Sequence, residues 1–432
     1  MASNSDLHRR REAAVARGVA STLQIYAARA QNAEIWDCEG RRYIDFASGI
    51  SVLNTGHLHP KVVAAVAAQL QQLSHACFQV TPYEGYVALA ERLNALAPGP
   101  TPKKSVLFST GAEAVENAVK LARCYSKRSA VLAFGGGFHG RTIAAMSLTG
   151  KVHPYKSGFG PLLPDVFHAP FPMDYHGVST QDSLAAIEHL FKVSVDPARV
   201  AAIIIEPVLG EGGFYLAPPE FLRSLRALCD QHGIVFIVDE IQSGLGRTGR
   251  MFALEHAGVE ADLLTVAKSI AGGLPLSAVV GKAHIMDAPA PGGLGGTFAG
   301  SPLACAAALA VLEIMHEERL LKRSQEIGAR LMAHLRRLQQ QFPLIGEVRG
   351  LGAMVAIELV KNGRADQPDA ETTRALVQAA ARRGLVILSC GLYGNVIRLL
   401  APLTIGDALL EDGVQILAAA LAEVAASVTA AG

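Results

Sequence analysis

The chain has 432 residues, half of them apolar, with 39 Lys or Arg against 38 Asp or Glu. At roughly 100–200 residues per domain this length suits two or three domains, and a net charge near zero leaves no field to attract nucleic acid. The 42 glycines and 21 prolines are dispersed, which excludes collagen-like and low-complexity chains. No run approaches the ~18–20 apolar residues of a membrane span, since even 415–429 carries Glu423. The basic start has no apolar stretch or small-residue cleavage site after it, so a solvated first helix is expected rather than a secretory leader. Cys38, Cys77, Cys124, Cys229, Cys305 and Cys390 show no paired spacing, which points to reduced thiols and a cytoplasmic location.

Along the chain, WDCEGRRYIDFASG (36–49) reads as a hairpin. From about 100 to 285, short β-branched runs alternate with helical periods, the pattern of parallel βα units. SVLFS (105–109), AVLAF (130–134), AAIIIE (201–206), IVFIVDE (234–240), DLLTVAKS (262–269) and LSAVVGK (276–282) read as strands buried on both faces. Between them Ala112, Val115, Val119 and Ala122, and then Phe221, Leu225 and Leu228, recur at helical spacing. Around 317–341 a polar helix carries Leu321, Ile327, Leu331, Leu335 and Leu338. It leads into GEVRGLGAMVAIEL (346–359), a second helix near 370–384, a strand VIRLLAP (396–402) and a closing helix from about 406. The expected division is a large α/β domain over 57–320 and a smaller α+β domain from 1–56 and 321–432.

In open parallel sheets ligands sit beyond the carboxyl ends of the strands, so the polar residues there carry most information. In STGAEAVENAVK (109–120) a strand turns through Gly111 into a helix whose free N–H groups favour a phosphate. In IVDEIQSGLGRTGR (237–250) Asp239 and Glu240 end an apolar strand, where a carboxylate needs a partner such as a protonated heterocycle nitrogen or a loop it caps. In TVAKSIAGGLPLSA (265–278) Lys268 ends the next strand, and a lysine so placed invites a covalent role. In IIIEPVLGEGGF (203–214) Glu206 ends a strand and Glu211 sits in a glycine loop. Each has a bland structural reading alone. Together they describe what pyridoxal 5′-phosphate (PLP) needs.

These motifs, with DFASGISVLNTGHLHPKV, FHGRT and GGLGGTFAGSPLAC, run from about residue 10 to the C-terminus. On them the chain resembles the class III aminotransferases of PLP fold type I, and within them the bacterial 4-aminobutyrate aminotransferases. The resemblance implies a large domain with a mostly parallel seven-stranded sheet, plus a smaller α+β domain built from both termini. It implies that Lys268 is the Schiff-base lysine, Asp239 the partner of the pyridinium nitrogen and Gly111 and Ala112 the phosphate-binding turn. Phe138 would stack on the ring, Ile241 would pack on its other face and Gln242 would bond the ring hydroxyl; Glu206, from its place at a strand end, is expected among the catalytic residues. Thr297 would reach the phosphate of a neighbouring subunit, making a homodimer with shared sites, or a tetramer of such dimers. The implied reaction is ping-pong: 4-aminobutyrate leaves as succinate semialdehyde, and 2-oxoglutarate takes the amine to become glutamate. Arg141 and Arg398 would clamp carboxylates bidentately, Glu211 would pair Arg398 when the donor has no second carboxylate, and Ile50 would narrow the pocket. The family commonly has Ser at Ala112 and often Tyr at Phe138.

One methylene changes binding by only ~1–3 kcal/mol, so 5-aminovalerate, or an ornithine-type ω-amine, is the alternative donor. An aminomutase would share the lysine without consuming 2-oxoglutarate, and a binding protein on an enzyme scaffold would not need the Lys268–Asp239 combination. Other residues have structural readings. His139 is expected to be an ordered helper at the site, His57 and His59 to shape a loop rather than hold a metal, Cys77 to pack, and Arg349 to bridge domains.

Overall fold

The computed structural model describes residues 2–431. An N-terminal helix, Asn4–Ala14, buries none of its residues. Strands β1 (Ala27–Gln31), β2 (Glu34–Asp37) and β3 (Arg42–Asp45) follow as an antiparallel meander. Seven strands then form the central sheet: β4 (Lys103–Phe108), β5 (Ala130–Phe134), β6 (Val166–Ala169), β7 (Val200–Ile205), β8 (Val235–Asp239), β9 (Leu263–Val266) and β10 (Ser277–Lys282). Their order is β4-β10-β9-β8-β7-β5-β6.

Strands β5 to β9 pair in parallel, as their continuous apolar runs require. Every residue of β7 and β8 is buried. The sheet is thus mostly parallel, as the resemblance implies; the exception is β10, which runs antiparallel to both β9 and β4, a direction that an apolar run such as LSAVVGK does not reveal. Two reversals cancel, so β4 points the same way as β9. The C-terminal ends of β4, β5, β7, β8 and β9 therefore gather on one edge, together with the start of β10.

Helices cover the two faces. Gly111–Ser126 buries Ala114, Val115, Ala118, Val119, Leu121 and Ala122. Its start is fixed by a capping box, in which Thr110 Oγ1 accepts from Glu113 N at 3.3 Å and Glu113 Oε2 accepts from Thr110 N at 2.8 Å. Pro219–His232 buries Phe221, Leu222, Leu225 and Cys229, each large side chain removed from water stabilising the fold by ~1.5–3 kcal/mol. The helix expected around 317–341 begins at Leu320, and a separate helix, Pro302–Glu317, precedes it.

The C-terminal segment adds β11 (Ile345–Leu351), β12 (Met354–Leu359), β13 (Leu385–Val386), β14 (Leu388–Cys390) and β15 (Val396–Leu399). Four of these form the sheet β11-β12-β15-β14, while β13 joins β3 in parallel and so ties the two ends of the chain together. Arg247, fully buried, extends from the loop after β8 and donates to Ala401 O at 2.7 Å and to Asn54 Oδ1. Burial pushes its pKa down to about 9, and among the described residues its acceptors are neutral oxygens.

Candidate active site

The shared strand edge holds a cavity of about 340 Å³. Each strand end contributes to its wall: Ser109, Gly111 and Ala112 after β4, Phe138, His139 and Gly140 after β5, and Glu206 after β7. Asp239, Ile241 and Gln242 follow from β8, Ala267 and Lys268 from β9, and the turn 273–276 leads into β10. Nine residues singled out in the sequence, His139 among them, thus line one space. Ile50, Arg141, Glu211, Thr297 and Arg398 lie outside this wall.

Lys268 adopts a left-handed backbone (φ 50°), uncommon for a residue with a side chain, at the turn that ends β9. Its amine has no hydrogen bond or ion pair among the described residues. Burial depresses its pKa; the carboxylates of Glu211, Glu206 and Asp239 oppose the shift without cancelling it, and Arg398 adds to it. A free, readily deprotonated amine at the cavity wall is a nucleophile and a base.

Asp239 is held from several sides. Its Oδ1 accepts from Thr265 Oγ1 at 2.9 Å and Ile241 N at 3.1 Å, and its Oδ2 lies 2.7 Å from His139 Nδ1, which therefore carries the proton. Burial works against charge on His139, but the hydrogen bond and charge of Asp239, with the charge of Glu206, outweigh it and raise its pKa. The expected helper role of His139 has its geometry here: it anchors the carboxylate. Both oxygens of Glu206 accept from backbone, Phe138 N at 2.7 Å and Gly210 N at 2.9 Å, so Glu206 mounts Phe138 and the loop that carries Glu211. Burial raises the pKa of Glu206.

Arg398, on β15, is 3% exposed and forms a two-pronged pair with Glu211, Nη1 to Oε1 at 2.5 Å and Nη2 to Oε2 at 3.1 Å. Burial pushes Glu211 upward, but the guanidinium outweighs it and holds the carboxyl below its usual range. Arg349 Nε donates to Gly213 O at 2.8 Å while its guanidinium lies 2.7 Å from Glu358, which makes it the expected bridge between that loop and the C-terminal sheet. Arg141 is exposed. Ile50 is 42% exposed, within a left-handed run over 48–51 fastened by Asp45 Oδ1 and by Ser48 Oγ donating to Leu400 O. Thr297 is exposed in a turn closed by Ala299 N and Gly296 O.

The two histidines of TGHLHP have separate partners, Asp45 and Glu318, each at 2.9 Å. Among the described residues no group of three His, Cys, Asp or Glu is placed to hold a metal, all six cysteines are free, and no helix is long and apolar enough to cross a membrane. Sequence reasoning missed Thr265 and Tyr155. Thr265 is hidden inside an apolar strand. Tyr155, whose ring lies 4.8 Å from that of Phe138, sits in an irregular segment with no periodic signal.

PLP fits these residues. Gln242 Oε1 is buried with no hydrogen-bond partner, so the wall holds an acceptor awaiting a donor. At Gly111, the first residue of a capped helix, a Cβ would come within 3.0 Å of Ile241 Cδ1, so the space at that N-terminus depends on glycine. A free amine, a fixed carboxylate and a helix N-terminus face one cavity, the donor set that an aldehyde, a pyridine nitrogen and a phosphate require.

Residues 14–421 match the family model for aminotransferase class-III. The chain is 57% identical to the 5-aminovalerate aminotransferase DavT of Pseudomonas aeruginosa, over 98% of this chain and 99% of that protein. It is 54% identical to the 4-aminobutyrate aminotransferase GabT of Escherichia coli, over 96% and 98%. Among solved structures, an amine transaminase from an uncultivated Pseudomonas species in its PLP-bound form superimposes with a TM-score of 0.86 at 31% identity, covering 96% of this chain and 98% of that one.

Proposed function

This chain belongs to the class-III aminotransferases, and from that premise we propose that it moves the amino group of 4-aminobutyrate to 2-oxoglutarate, giving succinate semialdehyde and glutamate. Its cofactor is PLP, which when bound supplies an aldehyde to take up the amine and a ring to hold the electron pair left on the substrate carbon. Lys268 Nζ would carry the covalent link and, once released, move the proton between substrate and cofactor carbons, a task suited to an amine whose pKa is depressed. Asp239, oriented by His139 and Thr265, would keep the ring nitrogen protonated, an interaction worth more in the transition state than in the ground state. Gln242 Oε1 would accept from the ring hydroxyl. Phe138 and Ile241 would enclose the ring, and the N–H groups at Gly111 and Ala112 would hold the phosphate, with Thr297 supplied by a second copy of the chain.

The observation that carries the choice of substrates is the Glu211–Arg398 pair. 4-Aminobutyrate is glutamate without its α-carboxylate, so the same site must present two cations to one substrate and one to the other. Arg141 would take the shared carboxylate. Glu211 would neutralise Arg398 while 4-aminobutyrate is bound and swing aside for the α-carboxylate of glutamate or 2-oxoglutarate. The likeness to DavT favours a second reading, in which 5-aminovalerate is the preferred donor. The test is product stoichiometry and initial rates with both substrates varied. Equal yields of succinate semialdehyde and glutamate with parallel reciprocal plots are expected, whereas intersecting plots or turnover without 2-oxoglutarate refute the reading.

A further inference from the structure

We propose that Tyr155 is the residue that positions Arg141 for the carboxylate of the amine donor, and that it thereby sets the preferred donor length. The proposal rests on the reading of Arg141 as the clamp for the shared carboxylate. Arg141 is exposed and, among the described residues, has neither a hydrogen bond nor an ion pair. What it does have is a ring: its Cζ lies 5.1 Å from the centroid of Tyr155. That ring in turn leans on Phe138 at 4.8 Å and 56°, and Phe138 lines the cavity. Tyr155 therefore spans the distance between the cavity wall and a cation that is otherwise unattached.

Tyr155 is also the fixed member of the pair. It sits in the irregular segment 151–163, which is tied down on both sides of it. Lys151 Nζ donates to Gly391 O at 2.6 Å, Lys156 Nζ to Ser147 O at 3.3 Å, and Leu163 N to Ser147 Oγ at 3.0 Å. A guanidinium resting on a π-face is constrained in direction, but it is not bound to one distance as it would be by a carboxylate. Arg141 so held can meet a carboxylate one methylene nearer or farther while still being steered toward the site. The ring would thus favour one donor length without excluding the next, in keeping with a chain similar to both a 4-aminobutyrate and a 5-aminovalerate aminotransferase.

The test uses the holoenzyme and three variants, Tyr155→Phe, Tyr155→Leu and Arg141→Ala. Affinities for the unreactive dicarboxylates succinate, glutarate and adipate are measured by calorimetry, alongside kcat and KM for 4-aminobutyrate and 5-aminovalerate. Tyr155→Leu is expected to weaken carboxylate binding and raise KM about twofold to fivefold, the range a lost exposed cation–π contact gives, to flatten the preference among chain lengths, and to lower kcat by less than it raises KM. Tyr155→Phe, which keeps the π-face, is expected to retain wild-type affinity and preference, and does so only if the variant folds. Loss of affinity in Arg141→Ala with none in Tyr155→Leu would overturn the proposal while leaving the clamp intact. Equal damage from Phe and Leu would overturn it in favour of the hydroxyl. Unchanged binding in Arg141→Ala would overturn the clamp itself, and the proposal with it.

Discussion

Replacing Glu211 by Ser probes the two-substrate logic at its weakest point. Arg398 is 3% exposed, both of its Nη atoms bond to Glu211, and its Nε has no partner in the described structure. Removing the carboxylate leaves a buried guanidinium without an anion, a change that costs ~3–5 kcal/mol. At tenfold per 1.4 kcal/mol this corresponds to roughly 10²- to 4 × 10³-fold. In the free variant, water entering the cavity solvates Arg398 and absorbs part of that cost, and 4-aminobutyrate displaces the water without replacing its charge. The lower end, ~10²-fold, is therefore expected for the 4-aminobutyrate half-reaction. Glutamate brings its own α-carboxylate to Arg398 and should lose far less. Single-turnover absorbance changes, followed separately with each amine, measure both. Equal losses for the two amines would refute the switch.

Other outcomes follow from the same geometry. Lys268→Ala should lower turnover by more than a thousandfold, since loss of a general base alone costs ~10²–10⁴, while the protein still folds and retains PLP non-covalently; residual turnover above that level would move the proton transfer to another group. Burial pushes the pKa of Glu240 up to about 7 from an ordinary 4.5. A raised folded-state pKa means that its contribution to stability is complete below about 4.5 and is lost as pH rises through about 7. Glu240→Gln, which can still accept from Leu254 N and whose amide can donate to Ser243 Oγ in place of the bond that Ser243 now donates, should flatten the fall in melting temperature across that window, and identical slopes would contradict it. Because Thr297 lies outside the wall of its own cavity, a monomer should be inactive. Dilution with mass and activity measured together checks this, and full activity in a pure monomer would count against a shared site.

Much of the cavity could be read from the chain because parallel strands end in the polar residues that face a ligand. Gly111, Ala112, Glu206, Asp239 and Lys268 all follow apolar runs that admit few other interpretations. What escaped depends on direction and distance. The antiparallel course of β10 has no signature in an apolar run, and the helix Pro302–Glu317, rich in Ala, shows no marked apolar stripe because ten of its residues are buried. The pairing of Glu211 with Arg398, 187 residues apart, was reachable only through the chemistry of the substrates. His139 could be placed near the site by its motif, but its bond to Asp239 required coordinates. Tyr155 lies in a segment whose course depends on scattered tethers, and no periodicity announces those.

The central claim is that this site is shaped for a straight-chain ω-amino acid bearing one carboxylate, four carbons long in preference to three or five. The most direct measurement compares specificity constants for 4-aminobutyrate, 5-aminovalerate, ornithine and β-alanine with saturating 2-oxoglutarate. The account predicts 4-aminobutyrate highest, with 5-aminovalerate within the ~10–200-fold that one methylene allows. A highest value for ornithine, which is 5-aminovalerate with one further amino group beside its single carboxylate, for 5-aminovalerate or for β-alanine would contradict it.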